Sequence, residues 1–400
     1  MRRIVTPGMS LRSRNRCVLL LLIVLAAAAG GPSWPRTSRH PVVPLDHPTL
    51  EFRVRLTKAN PQAGFQFVAF GDQRALVRDD WPALIGVIDT LATRHERLLF
   101  LIDTGDILDD GTFSDQFRVL AGLLERTRRL PYLAAVGNHE VNENRRGPAR
   151  ANTAAFLSSI GEPLSPERLY YRKVVGRARF LFLDSNDLVY RDGSGIDEAA
   201  VERRAHAQME WLVRELSDPA FGPGATTIVV MHHPLIQSSA RHRGQARELW
   251  NYRFHGRRLA DIFADGGVDL VLTGHTHTYE RFRATRRDGR GFHLVNLSGK
   301  PEPWFLWLGD GARRAQDLRG NEEAWLYEKG WSGLAGWSVA QEEVMTRKEA
   351  DQCGLFTVDA EGGVTLSISY LGRASMDPPV RLLWGTGFGR PGSLRLESQK

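Results

Sequence analysis

Five short polar segments, each placed at the end of an apolar run, constrain this chain more than any other feature. They are Gly71-Asp72-Gln73-Arg74, Gly105-Asp106, Gly137-Asn138-His139-Glu140, Met231-His232-His233-Pro234 and Gly274-His275-Thr276-His277. The preceding runs are Phe65 to Phe70, Leu98 to Ile102, Tyr132 to Val136, Thr226 to Val230 and Val268 to Leu272. They are short, partly β-branched and mostly apolar, which reads as strands buried on both faces of an α/β sheet. Every polar segment then falls at the carboxyl end of a strand, where open α/β sheets bind ligands. With 400 residues and 42% hydrophobic content the chain can bury a large core, and one domain accounts for most of that length.

The residue types at these ends are oxygen and imidazole ligands. Two cations about 3.5–4 Å apart can clamp the attacking and leaving oxygens of an in-line displacement at phosphorus, provided a group bridges them. Asp106 is the natural bridge. Asp72 supplies a terminal carboxylate to one cation, Asn138 a neutral carbonyl to the other, and His232, His275 and His277 supply imidazoles. This mixed set without thiolate suits Fe, Mn or Zn better than Mg or Ca and does not choose among the three.

In this order the segments resemble the calcineurin-like metallophosphoesterase superfamily, whose pattern is D-x-H, G-D, G-N-H-D/E, H, G-H-x-H. The resemblance runs from about Phe65 to Leu297, with closing strands expected at Gly354 to Leu371. One such motif would be weak; five in order are specific. The resemblance implies a four-layer αββα sandwich of two mixed β-sheets flanked by helices. It implies Asp72, Asp106 and His277 on the first of two metal ions and Asp106, Asn138, His232 and His275 on the second. It makes His139 a residue beside the metals that binds substrate or protonates the leaving group, and it places the ligand of the His pair at His232, leaving His233 behind it or facing substrate. The stretch Gly274 to Arg281 looks more like the purple acid phosphatase branch than the cyclic-nucleotide or Ser/Thr phosphatase branches.

Two departures stand out. Arg74 occupies the place of the first motif's His, and a guanidinium gives up no proton to bind a cation. The purple branch substitutes a Tyr three residues after the bridging Asp, and that position is Asp109. The first ion is left with three protein ligands unless Asp109 joins them. Either this ion is weak and exchangeable, or water completes its shell and Arg74 reaches the substrate phosphate as a bidentate donor; the second outcome is the expectation.

The amino terminus reads as a targeting segment. Arg2, Arg3, Arg12, Arg14 and Arg16 precede the apolar Val18 to Leu25 and Ala26 to Ala29, a run short of the roughly 20 residues that span a bilayer. Residues 1–31 are therefore a secretory signal peptide or, uncleaved, an N-terminal membrane anchor, with export to a periplasmic or extracellular space. Cys17 precedes the run, so cleavage would leave Cys353 alone and no intramolecular disulfide. The proline-rich residues 32–63 form a linker with a candidate leading strand at Leu50 to Leu56, residues 64–299 the catalytic domain, 300–350 a Trp-rich insertion, 351–375 its closing strands and 376–400 a tail. Helices are expected at Trp81 to His95, Asp115 to Arg128 and Glu202 to Leu216.

The net charge of +7 suits an anionic substrate, but no nucleic-acid-binding motif is present and the oligomeric state is not encoded legibly. His242 and His255, in an Arg- and His-rich loop after His233, are candidates to face substrate. Asp184-Ser185-Asn186 is expected to order the backbone beneath the site, and His206 and His293 to have no metal role. The expected function is a metal-dependent phosphoric-ester hydrolase in which metal-bound hydroxide attacks a phosphomonoester. A phosphodiesterase, or a weakened member that binds a phosphorylated ligand or partner, stands as the alternative.

Overall fold

The computed structural model describes residues 60–74, 81–127, 130–141, 149–158, 164–189, 197–221, 224–237, 243–277, 279–297, 335–345, 352–370 and 380–383. All belong to the unit Arg39–Lys400. The expected signal or anchor segment, the strand at Leu50 to Leu56, His242 and all of the Trp-rich stretch except residues 335–345 lie outside them. Among the described residues no helix is long and apolar enough to cross a membrane.

In chain order the strands are β1 (Phe65–Phe70), β2 (Leu98–Asp103), β3 (Tyr132–Ala134), β4 (Tyr171–Val175), β5 (Ala178–Phe182) and β6 (Thr226–Val230), then a small hairpin β7 (Arg253–Phe254) and β8 (Arg257–Arg258). They continue with β9 (Leu270–Thr273), β10 (Tyr279–Arg286), β11 (Gly291–Leu297), β12 (Trp337–Met345), β13 (Gln352–Val358), β14 (Val364–Tyr370) and β15 (Val380–Leu383). One six-stranded sheet has the order β15-β14-β13-β1-β2-β3, and one seven-stranded sheet the order β12-β10-β11-β9-β6-β5-β4. The first sheet is parallel over β1-β2-β3 at one end and antiparallel through β13, β14 and β15, and the second is parallel over β5-β6-β9-β11 at its centre with antiparallel strands on both sides. The expectation of two mixed sheets is met.

Side-chain alternation explains why these sheets stack. Successive strand residues point to opposite faces. Phe180 and Phe182 of β5, Ile228 and Val230 of β6, Leu270 and Leu272 of β9 and Val295 and Leu297 of β11 share one core with the first sheet. Their neighbours Leu181, Val229, Val271 and Leu294 join a second core with Met209, Leu212, Ile262 and Phe263. Those four come from the helices Glu198–Leu216 and Leu259–Asp265. On the far side, the first sheet packs against the helices Trp81–Arg94 and Ser114–Glu125. Phe67 sits at the centre of the inner core: its ring stacks on Phe356 at 4.8 Å and Phe100 at 5.5 Å and meets Phe180 of the opposite sheet edge-on at 5.4 Å.

Three boundaries differ from expectation. The helix expected from Glu202 begins at Glu198, because Asp197 caps it by accepting the Ala200 N–H at 3.0 Å. Part of the supposed insertion is sheet: β12 pairs antiparallel with β10 along its length. Its first residue, Trp337, is buried against Trp250 and Phe292, and its indole N–H donates to Asp261 at 3.0 Å. Of the five tryptophans in that stretch this one packs onto the domain, and Trp304, Trp307, Trp325 and Trp331 lie outside the described residues. Finally β15 falls in the expected tail and pairs with β14.

Candidate metal centre

The parallel strands bring all five polar segments to one end of the two sheets. Asp72 follows β1, Asp106 follows β2, Asn138 follows β3, His232 follows β6 and His275 follows β9. The turn each segment must make is sharp. Asp72, Arg74, Asp106, His275 and His277 all have positive φ, at 60°, 38°, 55°, 70° and 54°. Side chains disfavour this region by about 1–3 kcal/mol each, and such strain persists only where surrounding structure imposes it. Among described non-glycine residues the other case is His255, in the turn of the β7-β8 hairpin. At Gly137 a Cβ would collide with the backbone nitrogen and Oδ1 of Asp106, so only glycine lets the Asn138 turn approach that carboxylate.

Two buried donor groups result. In one, Asp72, Asp106 and His277 converge, with His277 Nε2 at 3.5 Å from Asp72 Oδ1. In the other, His232, His233 and His275 converge, with His232 Nε2 at 3.1 Å from His275 Nδ1. Asp106 joins them: its Oδ1 lies 3.3 Å from His232 Nε2. The Asn138 side-chain oxygen is buried without a hydrogen-bond partner, an arrangement that costs free energy unless a cation takes up the lone pair. Carboxylate, amide oxygen and imidazole without thiolate fit a metal centre of the Fe, Mn or Zn kind.

Electrostatics support the same reading. Burial pushes the Asp106 carboxyl upward, but His232, His139 and Arg74 together outweigh it and hold Asp106 below the usual carboxylate range. Arg74 Nη2 stands 3.5 Å from Asp106 Oδ2. His139 Nε2 is 3.7 Å from the same oxygen, and its backbone N–H donates to Oδ1 at 3.1 Å. Asp109 belongs to neither donor group; its side chain is 43% exposed, its Oδ1 lies 4.0 Å from His139 Nδ1 and its backbone carbonyl accepts from that nitrogen at 2.7 Å. Its backbone carbonyl thus fixes the His139 ring.

The supporting layer is dense. Glu140 accepts the N–H groups of Asp106, Leu108 and Gly137 at 2.8 to 2.9 Å, tying the second segment to the third. Asp72 accepts the His275 N–H at 2.9 Å, tying the first to the fifth. His232 Nδ1 meets the Thr104 carbonyl at 3.0 Å and so presents Nε2 to the centre. Ser185 Oγ contacts His233 Nδ1 at 2.9 Å and accepts its backbone N–H, while Asn186 Nδ2 donates to the carbonyls of Val136 and Gly137. Behind it, Arg150 binds Asp184 at 2.8 Å. His255 packs on Phe254 and His206 beside the hairpin. His293 is a buried strand residue 3.6 Å from Glu342.

Sequence reasoning missed Asp103, Tyr132 and Gln245. Asp103 is wholly buried, accepts from Tyr132 Oη at 2.8 Å and from the Gly105 N–H at 2.9 Å, and is pushed well up in proton affinity, chiefly by burial. It reads as one more residue of a strand. Gln245 accepts at 2.8 Å from His275 Nε2, from a helix (Arg243–Asn251) that no motif marks.

Comparison with known proteins agrees with this geometry. The calcineurin-like phosphoesterase family profile matches residues 66–279. The chain is similar to purple acid phosphatase 21 of Arabidopsis thaliana, 26% identical over 62% of this chain and 50% of that protein. It is also similar to human acid phosphatase type 7, 25% identical over 58% of this chain and 50% of that protein. It therefore spans about half the length of these curated relatives. Among solved structures the purple acid phosphatase PPD1 of yellow lupin shares the fold, with a TM-score of 0.50 at 15% identity over 80% of this chain and 54% of that one. With the family profile matched over more than half of its length, the chain belongs to the calcineurin-like phosphoesterase family.

Proposed function

We propose that this protein is an exported, metal-dependent phosphoric-ester hydrolase with a dinuclear centre, acting on phosphomonoesters. The observation that carries the reading is the position of Asp106 between two donor groups. Asp72, Asp106 and His277 would hold one ion, and Asp106, Asn138, His232 and His275 the other. Ions bound there supply electrophilic stabilisation at the phosphoryl oxygens and activate an attacking water.

The remaining chemistry belongs to side chains. Arg74 carries a permanent charge 3.5 Å from Asp106, where negative charge accumulates on the phosphoryl group in the transition state. His139 donates Nδ1–H to the Asp109 carbonyl, so any second proton resides on Nε2, the atom facing Asp106. That proton is available to the leaving oxygen of the ester. Export is supported by the basic and apolar order of residues 2–29.

Titrating chelator-stripped protein with Mn, Zn and Fe while assaying a chromogenic monoester against its bis-ester tests the reading. Monoester turnover that saturates at two ions per chain is expected. Faster bis-ester turnover would replace it with a phosphodiesterase, and ion binding without hydrolysis of either with a phosphoryl-binding protein. In the iron-loaded protein an intense visible tyrosinate band should be missing, because Asp109 stands where the purple branch has its Tyr. Seeing that band would mean another tyrosine enters the site.

Arg74→His should tighten the ion at Asp72, Asp106 and His277, since it adds an imidazole and removes a cation from beside the bridging carboxylate. Calorimetric titration reads this directly. An unchanged affinity would mean that residue 74 does not shape that ion's environment.

A further inference from the structure

We propose that Gln245 is a positioning residue that decides which ring nitrogen His275 presents to the ion at Asn138 and His232. The inference rests on the dinuclear reading above and concerns a residue that no motif of the family marks in this sequence.

His232 Nδ1 lies 3.0 Å from the Thr104 carbonyl, which can only accept, so Nδ1 carries the proton and Nε2 of the neutral ring is a lone pair. That lone pair faces His275 Nδ1 at 3.1 Å. For both rings to bind one cation, His275 must also turn a lone pair inward, and its proton must therefore sit on Nε2. A neutral imidazole holds its proton where an acceptor meets it. The group that meets His275 Nε2 is the side-chain oxygen of Gln245, at 2.8 Å.

The helix that carries Gln245 is anchored firmly enough to hold this geometry. Leu249, one turn further on and hence on the same side of the helix, is fully buried, as is Trp250. Trp250 packs against Trp337 at 5.2 Å. The amide is thus set by the second core and does not depend on a loop. Two converging lone pairs repel each other until a cation lies between them, and Gln245 maintains this arrangement.

The test is calorimetric titration of chelator-stripped protein with Mn or Zn. Wild type should bind two ions. In Gln245→Leu the affinity of one ion should fall about 10–100-fold, the usual effect of losing the partner of a metal-bound histidine, while circular dichroism shows the fold unchanged. Gln245→Glu keeps an acceptor at the same reach and should restore the affinity, a rescue that lost packing would not produce. Two ions bound equally well by wild type and Gln245→Leu would overturn this inference alone, as would a Gln245→Glu variant as weak as Gln245→Leu. A wild type that binds no ion would overturn the dinuclear reading and this inference with it.

Discussion

Asp106→Asn is expected to lower turnover by about 10³-fold or more, equivalent to about 4 kcal/mol of lost transition-state stabilisation, while the protein stays folded. The reason is geometric. Asp106 is the residue within reach of both donor groups, 3.3 Å from His232 on one side and grouped with Asp72 and His277 on the other. An amide has the same shape and still accepts the His139 N–H through its oxygen, which preserves the turn. It cannot bind two cations, because one of its two terminal atoms is a nitrogen that only donates. Metal analysis should show fewer ions per chain alongside the lost rate. Retention of more than about a tenth of the wild-type rate at saturating metal would remove Asp106 from the mechanism.

His139→Ala should lose rate in a different way. Its imidazole is near Asp106 Oδ2 but outside both donor groups, so metal content should stay at the wild-type value. General acids contribute about 10²–10⁴-fold, and most where the leaving oxygen is a poor leaving group. An alkyl phosphate should therefore suffer far more than a nitrophenyl phosphate. Equal losses on the two substrates would show that His139 only binds the phosphoryl group.

Much of the fold was legible before any coordinates. Short, mostly apolar runs such as Phe65 to Phe70 and Thr226 to Val230 announce buried parallel strands, because both of their faces meet other layers. The ligand segments were legible for a related reason: turns that approach a second segment too closely for a Cβ leave Gly before Asp72, Asp106, Asn138 and His275. Boundaries were less legible. β12 lies in a Trp-rich stretch without clean alternation, and it is a strand because the exposed edge of β10 offers it hydrogen bonds. Its order comes from a partner distant in sequence, which local pattern cannot reveal.

The sequence by itself determined the chemistry available to this protein: which residues carry carboxylate, amide and imidazole, that they end strands, and that residues 74 and 109 break the expected ligand pattern. Only the tertiary structure decided how those groups are used. It placed the Asp109 carbonyl against His139, set Arg74 beside Asp106, brought His233 against Ser185 and aimed Gln245 at His275. A ligand's identity is a property of one residue and its immediate neighbours, so it survives in a linear string. Its ring orientation and proton position depend on atoms up to 128 residues away, as with His232 and Thr104, and those contacts exist only once both sheets and their helices have packed.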